Sequence, residues 1–337
     1  GAVEYDLVLQ TDGNWYLQSE LLDQILGYAA APTAAGGMLR DYMGNLHERV
    51  GTREQSWTGG ATQISDGMGL WLRGGGSFMQ AEDGDRLDYQ QDHFFAQAGL
   101  DIPLVADEGG HLILSVMGHG GYSKVDVDDE DNVLINEADI YAYGGGLSLT
   151  WYQSPDAIEG GGLYIDGVAV ANLYDYELST PAEGDKAETD GWGWGVSLEA
   201  GYGIPMGGVR LIPQAQVSYS QVYLDDFTDS DGVIVEFGDA DSLEGRVGLM
   251  VDSGKLWRSG NAYFEANVVH EFLGESDVVT SNIDVGGDLG GTSAEVGFGG
   301  TVSLADGVGL YADIDYRIPF DDGRTGVAAE AGVRISW

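Results

Sequence analysis

The sequence has no cysteine and few basic residues. Its 337 residues include 14 Lys and Arg against 56 Asp and Glu, which gives a formal net charge of −42 at pH 7. The absence of cysteine excludes a disulfide framework and thiolate metal sites. Because so acidic a chain cannot neutralise phosphates, we exclude nucleic acid as a partner.

Long hydrophobic runs are also absent. No segment approaches the ~18 unbroken apolar residues of a membrane-spanning helix, so the chain is either soluble or crosses a membrane as β-strands. The 55 Gly, 18 Tyr and 8 Trp, against only 7 Pro, distinguish it from acidic disordered tails, which are poor in aromatic residues. The composition predicts a folded chain made mostly of strands.

No recognisable catalytic or metal-binding motif occurs in the sequence. The five histidines show no His-Glu-x-x-His spacing, and there is no Gly-x-Ser-x-Gly elbow, phosphate loop or dinucleotide fingerprint. The stretch DVDDEDNVLINE places Asp126, Asp128, Glu130 and Glu137 at calcium-loop positions 1, 3, 5 and 12, but Asp131 replaces the glycine needed at position 6. We therefore expect no enzyme, cofactor or metal site, and a solvated acidic loop here.

Beyond about residue 67, the chain consists of alternating segments. About twelve segments of roughly 12 to 17 residues alternate apolar with small or polar residues, the pattern of strands with two unlike faces. In the last segment the apolar face comprises Val327, Ala329, Ala331, Val333, Ile335 and Trp337. One face of such a strand suits lipid and the other suits water.

Charged residues recur on the second face, which we expect to line the interior of a barrel. The predicted interior charges are Glu199, Glu244, Arg246, Glu265, Glu295, Asp313, Asp315, Arg317, Glu330 and Arg334. Alternation by itself does not distinguish a membrane barrel from a soluble sandwich that turns its apolar face inward.

The connections between the segments make that distinction. Very short connections at residues 204–208 and 305–307 alternate with long ones, which carry acidic stretches such as EDGDRLD, DVDDEDN and AEGDKAETD. Short turns on one rim and long loops on the other are typical of outer-membrane barrels. We therefore predict an all-β membrane protein, an antiparallel transmembrane β-barrel of about twelve strands.

A stretch with helical spacing precedes the barrel. In residues 32–53, Leu39, Met43, Leu46 and Val50 recur at helical intervals, and Pro32 lies where a helix begins. A helix ~10 Å across fits the lumen of a barrel of about twelve strands. We predict that the helix is threaded through the lumen; the alternative is an amphipathic helix packed on a soluble core.

The predicted helix is a basic part of an acidic chain. Arg40 and Arg49 lie on its polar face, and Arg53 follows it. We expect Arg40 and Arg49 to pair with carboxylates of the barrel interior. The predicted partners are Glu199, Glu244, Glu265, Glu295, Asp313, Asp315 and Glu330.

Five stretches together resemble one protein family. They are GNWYLQSEL at residues 13–21, MLRDYMGNLHERVG at 38–51, WLRGGGS at 71–77, LIPQAQVSYSQV at 211–222 and the terminal GVRISW. In this order they resemble the C-terminal translocator domain of autotransporters, the type V secretion proteins of Gram-negative bacteria. The resemblance implies an outer-membrane barrel of twelve strands whose lumen helix connects outward to a passenger domain.

The resemblance also implies a division of the chain and a function. Residues 1–31 are expected to be the end of the passenger and its linker, 32–53 the pore-spanning helix, and 54–337 the barrel, with the passenger preceding Gly1. The implied function is export of the passenger through the pore, which the helix then plugs. The implied partners are this passenger, outer-membrane lipid and lipopolysaccharide, and the barrel-assembly machinery, with the chain a monomer.

The position of self-cleavage departs from the family pattern. In the self-cleaving members an Asn-Asn pair precedes the corresponding helical run, and the first Asn attacks its own carbonyl. Here Gly44 occupies the first position and Asn45 the second. We therefore expect no cleavage by this route, and we interpret Asn45 as a polar residue of the lumen helix.

The end of the chain resembles an assembly signal. Val333, Ile335 and Trp337 form an alternating apolar pattern that ends in an aromatic residue, as in the signal that the barrel-assembly machinery reads in this family. The alternative is that Trp337 only anchors the strand at the membrane interface. In either case we expect the last strand to close the barrel by pairing with the first, near residues 67–78.

One further alternative concerns the whole chain. A soluble, acidic secreted β-domain of the calcium-dependent adhesin or lectin type would also alternate, and would use the DVDDED stretch for calcium.

Overall fold

The computed structural model describes most of the chain. The described residues are 3–9, 14–21, 23–51, 68–83, 87–107, 110–128, 134–153, 161–180, 185–229, 232–253, 260–274, 276–281, 283–285, 287, 289–320 and 323–337.

Strands make up most of the described residues, and two helices precede the barrel. In chain order the elements are β1 (Val3–Leu9), β2 (Trp15–Leu21), α1 (Asp23–Met43), α2 (Leu46–Val50), β3 (Gly69–Asp83), β4 (Leu87–Asp107), β5 (Gly110–Asp128), β6 (Leu134–Tyr152), β7 (Gly162–Thr180), β8 (Asp185–Met206), β9 (Val209–Leu224), β10 (Phe227–Thr228), β11 (Ile234–Asp252), β12 (Gly260–Glu271), β13 (Ser276–Thr280), β14 (Ile283–Asp284), β15 (Gly291–Ala305), β16 (Val308–Pro319) and β17 (Gly323–Ser336).

Twelve of these strands close one antiparallel barrel. β3 to β9 pair in chain order, followed by β11, β12, β15, β16 and β17, and β17 returns to pair with β3. At the seam Ser336 pairs with Gly69, and the Trp337 N–H donates to the Met68 carbonyl at 3.1 Å. The predicted pairing of the last strand with the first is confirmed. Because the barrel is closed, it has no open strand edge whose backbone N–H and C=O groups would lack hydrogen-bond partners in lipid.

The strands extend further into the acidic sequence than predicted. β5 ends at Asp128 and β6 begins at Leu134, so most of the stretch predicted as a long loop is paired strand. Lys124 stabilises this hairpin by binding Asp126 at 3.0 Å and Glu137 at 2.7 Å. On the opposite rim, the connection between Tyr152 and Gly162 is longer than the connection between Asp128 and Leu134. The predicted alternation of long and short connections is therefore wrong at these two connections, whereas the short ones predicted at residues 204–208 and 305–307 are present.

Three short strands extend the wall on one rim. The first residues of β11 pair with β10 and β13, and β13 pairs with β14. This small sheet stands on the rim opposite to Trp337, because β11 runs from it toward that residue's rim.

The two faces of the barrel wall differ in polarity. On β3, Leu70, Leu72 and Phe78 are half exposed on the outside, whereas Trp71 and Arg73 between them are buried inside. The same alternation continues around the barrel, with exposed apolar residues such as Leu147, Leu198, Phe264, Phe298 and Ile314. An apolar outer face and a polar interior are the arrangement of a membrane-spanning barrel.

α1 lies inside the barrel, and most of its residues from Gly27 to Met43 are buried. Ala30, Ala34, Met38 and Tyr42 have no exposed surface, and the helix contacts β4 to β9, β11 and β13. Among the described residues, neither α1 nor α2 is long and apolar enough to cross a membrane.

The helix begins earlier than the sequence predicts. It starts at Asp23, so Pro32 lies in its interior instead of at its start, and the boundary predicted between residues 31 and 32 falls inside α1. Proline in a helix interior costs about 3 kcal/mol, because it removes a hydrogen bond and clashes with the preceding turn. We attribute its tolerance here to the surrounding wall, which buries Ala29, Ala31 and Ala35 completely.

Candidate functional site

The lumen helix is interrupted where the family's cleavage position falls. α1 ends at Met43, and Gly44 takes a positive φ of 54°, a conformation that glycine adopts without steric cost. Asn45 then caps α2: its side-chain oxygen accepts the N–H groups of His47 at 2.8 Å and Glu48 at 2.9 Å. Glu48 returns the contact by accepting the Asn45 N–H at 2.7 Å, which completes a capping box.

Asn45 therefore differs from the interpretation made from the sequence. It is the N-cap between two helices and not a residue inside one continuous helix. Its side-chain oxygen is occupied by the cap, and its side-chain nitrogen donates to Glu48. The absence of self-cleavage at this position stays a prediction.

Arg49 fastens α2 to the wall through a buried salt bridge. Its guanidinium lies 2.7 Å from Asp166 on β7, and both side chains are almost fully buried. Asp166 also accepts the hydroxyl of Thr150 at 2.6 Å, and the Tyr311 hydroxyl donates to the Arg49 carbonyl at 2.8 Å. Residues of β6, β7 and β16 thus take part in holding α2. Removing either charge of the salt bridge would leave the other charge buried without compensation.

Asp166 is not among the interior charges predicted from the sequence. It lies on the face of β7 that also carries the buried Tyr164, Val168 and Val170, while the opposite face is apolar too. With both faces apolar, alternation does not indicate which face is inward. The single carboxylate on this face was the sequence feature that could have indicated a buried ion-pair partner.

Arg40 and Asp41 connect the end of α1 to opposite parts of the wall. Arg40 donates to the Ser242 hydroxyl at 3.3 Å, and that hydroxyl donates to Glu271 at 2.6 Å. Asp41 accepts the Ser77 hydroxyl at 2.9 Å and lies 2.6 Å from Nδ1 of His93. These contacts fix the rotation of the helix about its axis.

Arg73, in the WLRGGGS stretch, supports the same end of α1 from β3. It donates to the carbonyls of Asp41 at 2.8 Å and Tyr42 at 3.0 Å, which the end of the helix leaves unsatisfied. It also binds Glu330 at 2.6 Å and Gln97 at 2.7 Å. The sequence of this stretch indicated no contact for its arginine.

The predicted interior charges face the lumen, but they pair mainly with one another. The salt bridges are Arg246 with Glu199 (3.5 Å) and Glu265 (3.8 Å), Arg317 with Glu244 (2.8 Å) and Glu295 (2.9 Å), and Arg334 with Asp101 (3.9 Å). In the described part of the chain, neither Arg40 nor Arg49 forms a salt bridge with the seven partners predicted for them. Glu199 does reach α2, because it accepts the Leu46 N–H at 3.1 Å.

A polar cavity of about 140 Å³ lies beside the end of α1. Its lining includes Arg40, Gln216, Glu244, Arg317, Arg324 and Glu330. The helix therefore does not fill the lumen completely, and the unfilled part is charged.

The residues of the predicted assembly signal lie at the seam. Ile335 and Trp337 point outward and are largely exposed, whereas Val333 is half-buried. This position fits either an interfacial anchor or a recognised end, so the assembly signal stays a prediction.

Fold, outer apolar face and plugged lumen define the class of this protein: a β-barrel of the Gram-negative outer membrane. Residues 70–315 match the sequence profile of the family described as Autotransporter beta-domain. The chain belongs to this family.

Curated relatives are similar over most of this chain. The adhesin BmaC autotransporter of Brucella suis biovar 1 is 28% identical over 97% of the chain, which spans 10% of that protein's length. The pertactin autotransporter of Bordetella parapertussis is 29% identical over 81% of the chain, which spans 29% of its length. The chain thus corresponds to a minor part of each of these two relatives.

Solved structures share the fold. The transport unit of the autotransporter AIDA-I from Escherichia coli superimposes with a TM-score of 0.78 over 94% of this chain and all of that one, at 18% identity. The translocator domain of NalP from Neisseria meningitidis gives a TM-score of 0.68 over 92% of this chain and 99% of that one, at 15% identity. With this support, the soluble secreted β-domain is not favoured.

Proposed function

We propose that this chain forms the outer-membrane pore through which its own N-terminal passenger is exported, and that α1 and α2 stay in the lumen as a plug. The observation that carries the proposal is the buried helix, held to the wall by the Arg49–Asp166 salt bridge inside a barrel of the autotransporter family. On this proposal residues 1–31 link the passenger to the barrel of residues 54–337.

The direction of the helix supports export toward one side. Near the start of α1, the Tyr28 hydroxyl donates to Asp229 at 3.2 Å, and its ring packs against Phe227 of β10 with centroids 5.2 Å apart. β10 belongs to the rim opposite to Trp337. The chain upstream of α1 therefore leaves the barrel on that rim, which we assign to the cell surface.

The hairpin upstream of α1 fits the end of a β-structured passenger. β1 and β2 pair from Val3 with Leu21 to Leu9 with Trp15, and Leu7, Trp15 and Leu17 are exposed. An open apolar surface on a two-stranded sheet needs a further β-layer to cover it. A passenger stalk stacked on this hairpin would supply that layer.

An epitope placed before Val3 tests the export. In intact cells of a Gram-negative host, antibody should label the epitope, and external protease should remove it while the barrel stays protected. The matched control replaces Glu4 on β1 with Gln, which leaves the barrel unchanged. An epitope that stays periplasmic, with the barrel folded in the outer membrane by heat-modifiable gel mobility, would contradict the proposal.

The other partners are proposed with it: outer-membrane lipid and lipopolysaccharide around a monomeric barrel, and the barrel-assembly machinery at Val333, Ile335 and Trp337. The variant Trp337→Ala should slow assembly and leave protease-sensitive chain in the periplasm, while the finished barrel keeps its heat stability. Ile318→Ala, an outward apolar residue of β16 away from the terminus, is the control. Normal assembly with lowered stability would make Trp337 an interfacial anchor only.

A further inference from the structure

Three carboxylates in the lumen lie close together and form no salt bridge with any residue that the structure describes. Glu48 on α2 and Asp313 and Asp315 on β16 each bring an oxygen to within 4.8 Å of the others. The neighbouring lumen carboxylates are compensated, since Glu265 and Glu295 bind Arg246 and Arg317. No arginine or lysine of the described residues forms a salt bridge with any member of the trio. Like charges this close are costly away from bulk water.

Asp313 adds an independent observation. Its side chain is 8% exposed, and both carboxylate oxygens are buried without a hydrogen-bond partner in the described part of the chain. A buried carboxylate with no donor costs several kcal/mol unless something binds it. One Asp313 oxygen lies within 4.8 Å of an oxygen of Glu48 and of an oxygen of Asp315, so a cation among the three carboxylates would contact it.

The barrel wall next to the three carboxylates leaves space at this site. Across the β15–β16 ladder, Asp313 pairs with Gly299 and Asp315 pairs with Gly297. A Cβ at Gly297 would collide with the Asp315 carboxylate, and a Cβ at Gly299 would collide with the Tyr263 ring and with the Asp313 Cβ, so only glycine leaves these side chains their space. Glu48 and Asp315 also line the polar cavity beside α1, which gives an ion a route to the site.

We propose that Glu48, Asp313 and Asp315 bind a divalent cation, with Ca²⁺ as the expected ion, and that this ion joins α2 to β16. Ca²⁺ takes carboxylate oxygens at about 2.3–2.6 Å, so ligands on opposite sides of one ion stand about 5 Å apart. The spacing of the trio fits that arrangement. Both Glu48 oxygens accept a hydrogen bond from Asn45, one from its backbone N–H and one from its side-chain amide, and a carboxylate oxygen keeps a further lone pair that can bind the ion.

Calcium binding to the purified full chain in detergent tests the site. After removal of metals with EDTA, equilibrium dialysis with radioactive Ca²⁺ in 0.1 M KCl should show Asp315→Asn and Glu48→Gln binding one ion per chain fewer than the unmodified protein. The control Asp126→Asn, on the acidic β5–β6 hairpin, should keep this ion. Glu48→Gln lies outside the barrel wall and preserves the capping box, so barrel folding does not depend on it.

Heat stability gives a second measurement, because the variants should be at least as stable as the unmodified chain in EDTA and less stable than it in Ca²⁺. In EDTA, Asp315→Asn and Glu48→Gln should melt at or above the temperature of the unmodified chain, because each removes one repelling charge. In Ca²⁺ at about 100 times Kd, the unfolding constant of the unmodified chain should fall about 100-fold, and those of the two variants should not. Equal Ca²⁺ binding by all chains, or an equal Ca²⁺ effect on their stability, would overturn the proposal in favour of carboxyls that share protons.

Discussion

The two halves of the lumen segment are held in different ways. In residues 27–39 the wall surrounds small and apolar side chains, and a hydrogen bond from Tyr174 to the Ala35 carbonyl, at 3.2 Å, is one of few polar contacts. In residues 40–51, Arg40, Asp41 and Arg49 all contact polar or charged groups of the wall. The cavity lies beside this second half.

The first half of the segment fits the lumen by its size, whereas the second half is attached to the wall by specific polar contacts. Alanines fit a narrow lumen without fixing the position of the helix along its axis, because one alanine-rich turn resembles the next. A buried ion pair forms at only one position of the helix along its axis, since a shift of one turn would leave both charges uncompensated. We infer that the first half of the segment excludes water and that the second half sets where the plug stops.

The largest effect is expected from reversing the charges of the second half. Arg40→Glu together with Arg49→Glu places a carboxylate against Asp166, and breaking a buried pair costs about 3–5 kcal/mol. The plug should loosen, and single-channel conductance in planar bilayers should rise. The control adds Asp166→Arg, which restores an Arg–Glu pair at that place and should lower the conductance again. Conductance equal to that of the unmodified barrel would show that these arginines do not hold the plug.

A smaller effect is expected from overfilling the first half. Ala35→Leu adds volume where no free surface exists and should cost about 1–3 kcal/mol. The matched control is Ala328→Leu, because Ala328 borders the polar cavity and the new side chain has space there. Urea denaturation in detergent, followed by gel mobility, should show the loss for Ala35→Leu alone. Equal losses would mean that the two halves are packed alike.

The smallest effect is expected at the junction of the two halves. Asn45→Ala removes the cap of α2 and should cost about 1 kcal/mol, whereas Asn45→Ser keeps an oxygen for the same N–H groups. The measurement is the heat midpoint of each variant, together with mass spectrometry of the intact chain. A chain cut at residue 44 or 45 in purified, protease-free material would contradict the prediction that Gly44 prevents self-cleavage.

The barrel could be predicted because its signal is repeated in nearly every strand. Alternation with a period of two requires only local sequence, so the faces of β16 and β17 and the pairing of the last strand with the first follow from it. The acidic hairpins were predicted as loops because charge is usually read as solvent exposure. In β5 and β6 these residues belong to the backbone ladder, and Lys124 binds Asp126 on its own strand and Glu137 on the neighbouring strand.

The lumen contacts could not be predicted in the same way, because they join residues far apart in the chain. Arg49 and Asp166 are 117 positions apart, and Arg73 and Glu330 are 257 apart. The start of α1 was placed at Pro32 because proline favours the first turn of a helix. In this protein the surrounding wall overrides that preference, and the buried alanines on both sides of Pro32 carry no polar signal that would indicate where the helix begins.

The even number of barrel strands has a topological consequence. With twelve antiparallel strands, β3 begins and β17 ends on the same rim, as the pairing of Gly69 with Ser336 requires. The start of α1, next to Asp229, lies at the other rim. A continuous chain that joins the two must cross the thickness of the wall, and the lumen is the path that keeps its backbone out of lipid. Threading is thus a consequence of the connectivity, because α1 starts at one rim and β3 starts at the other.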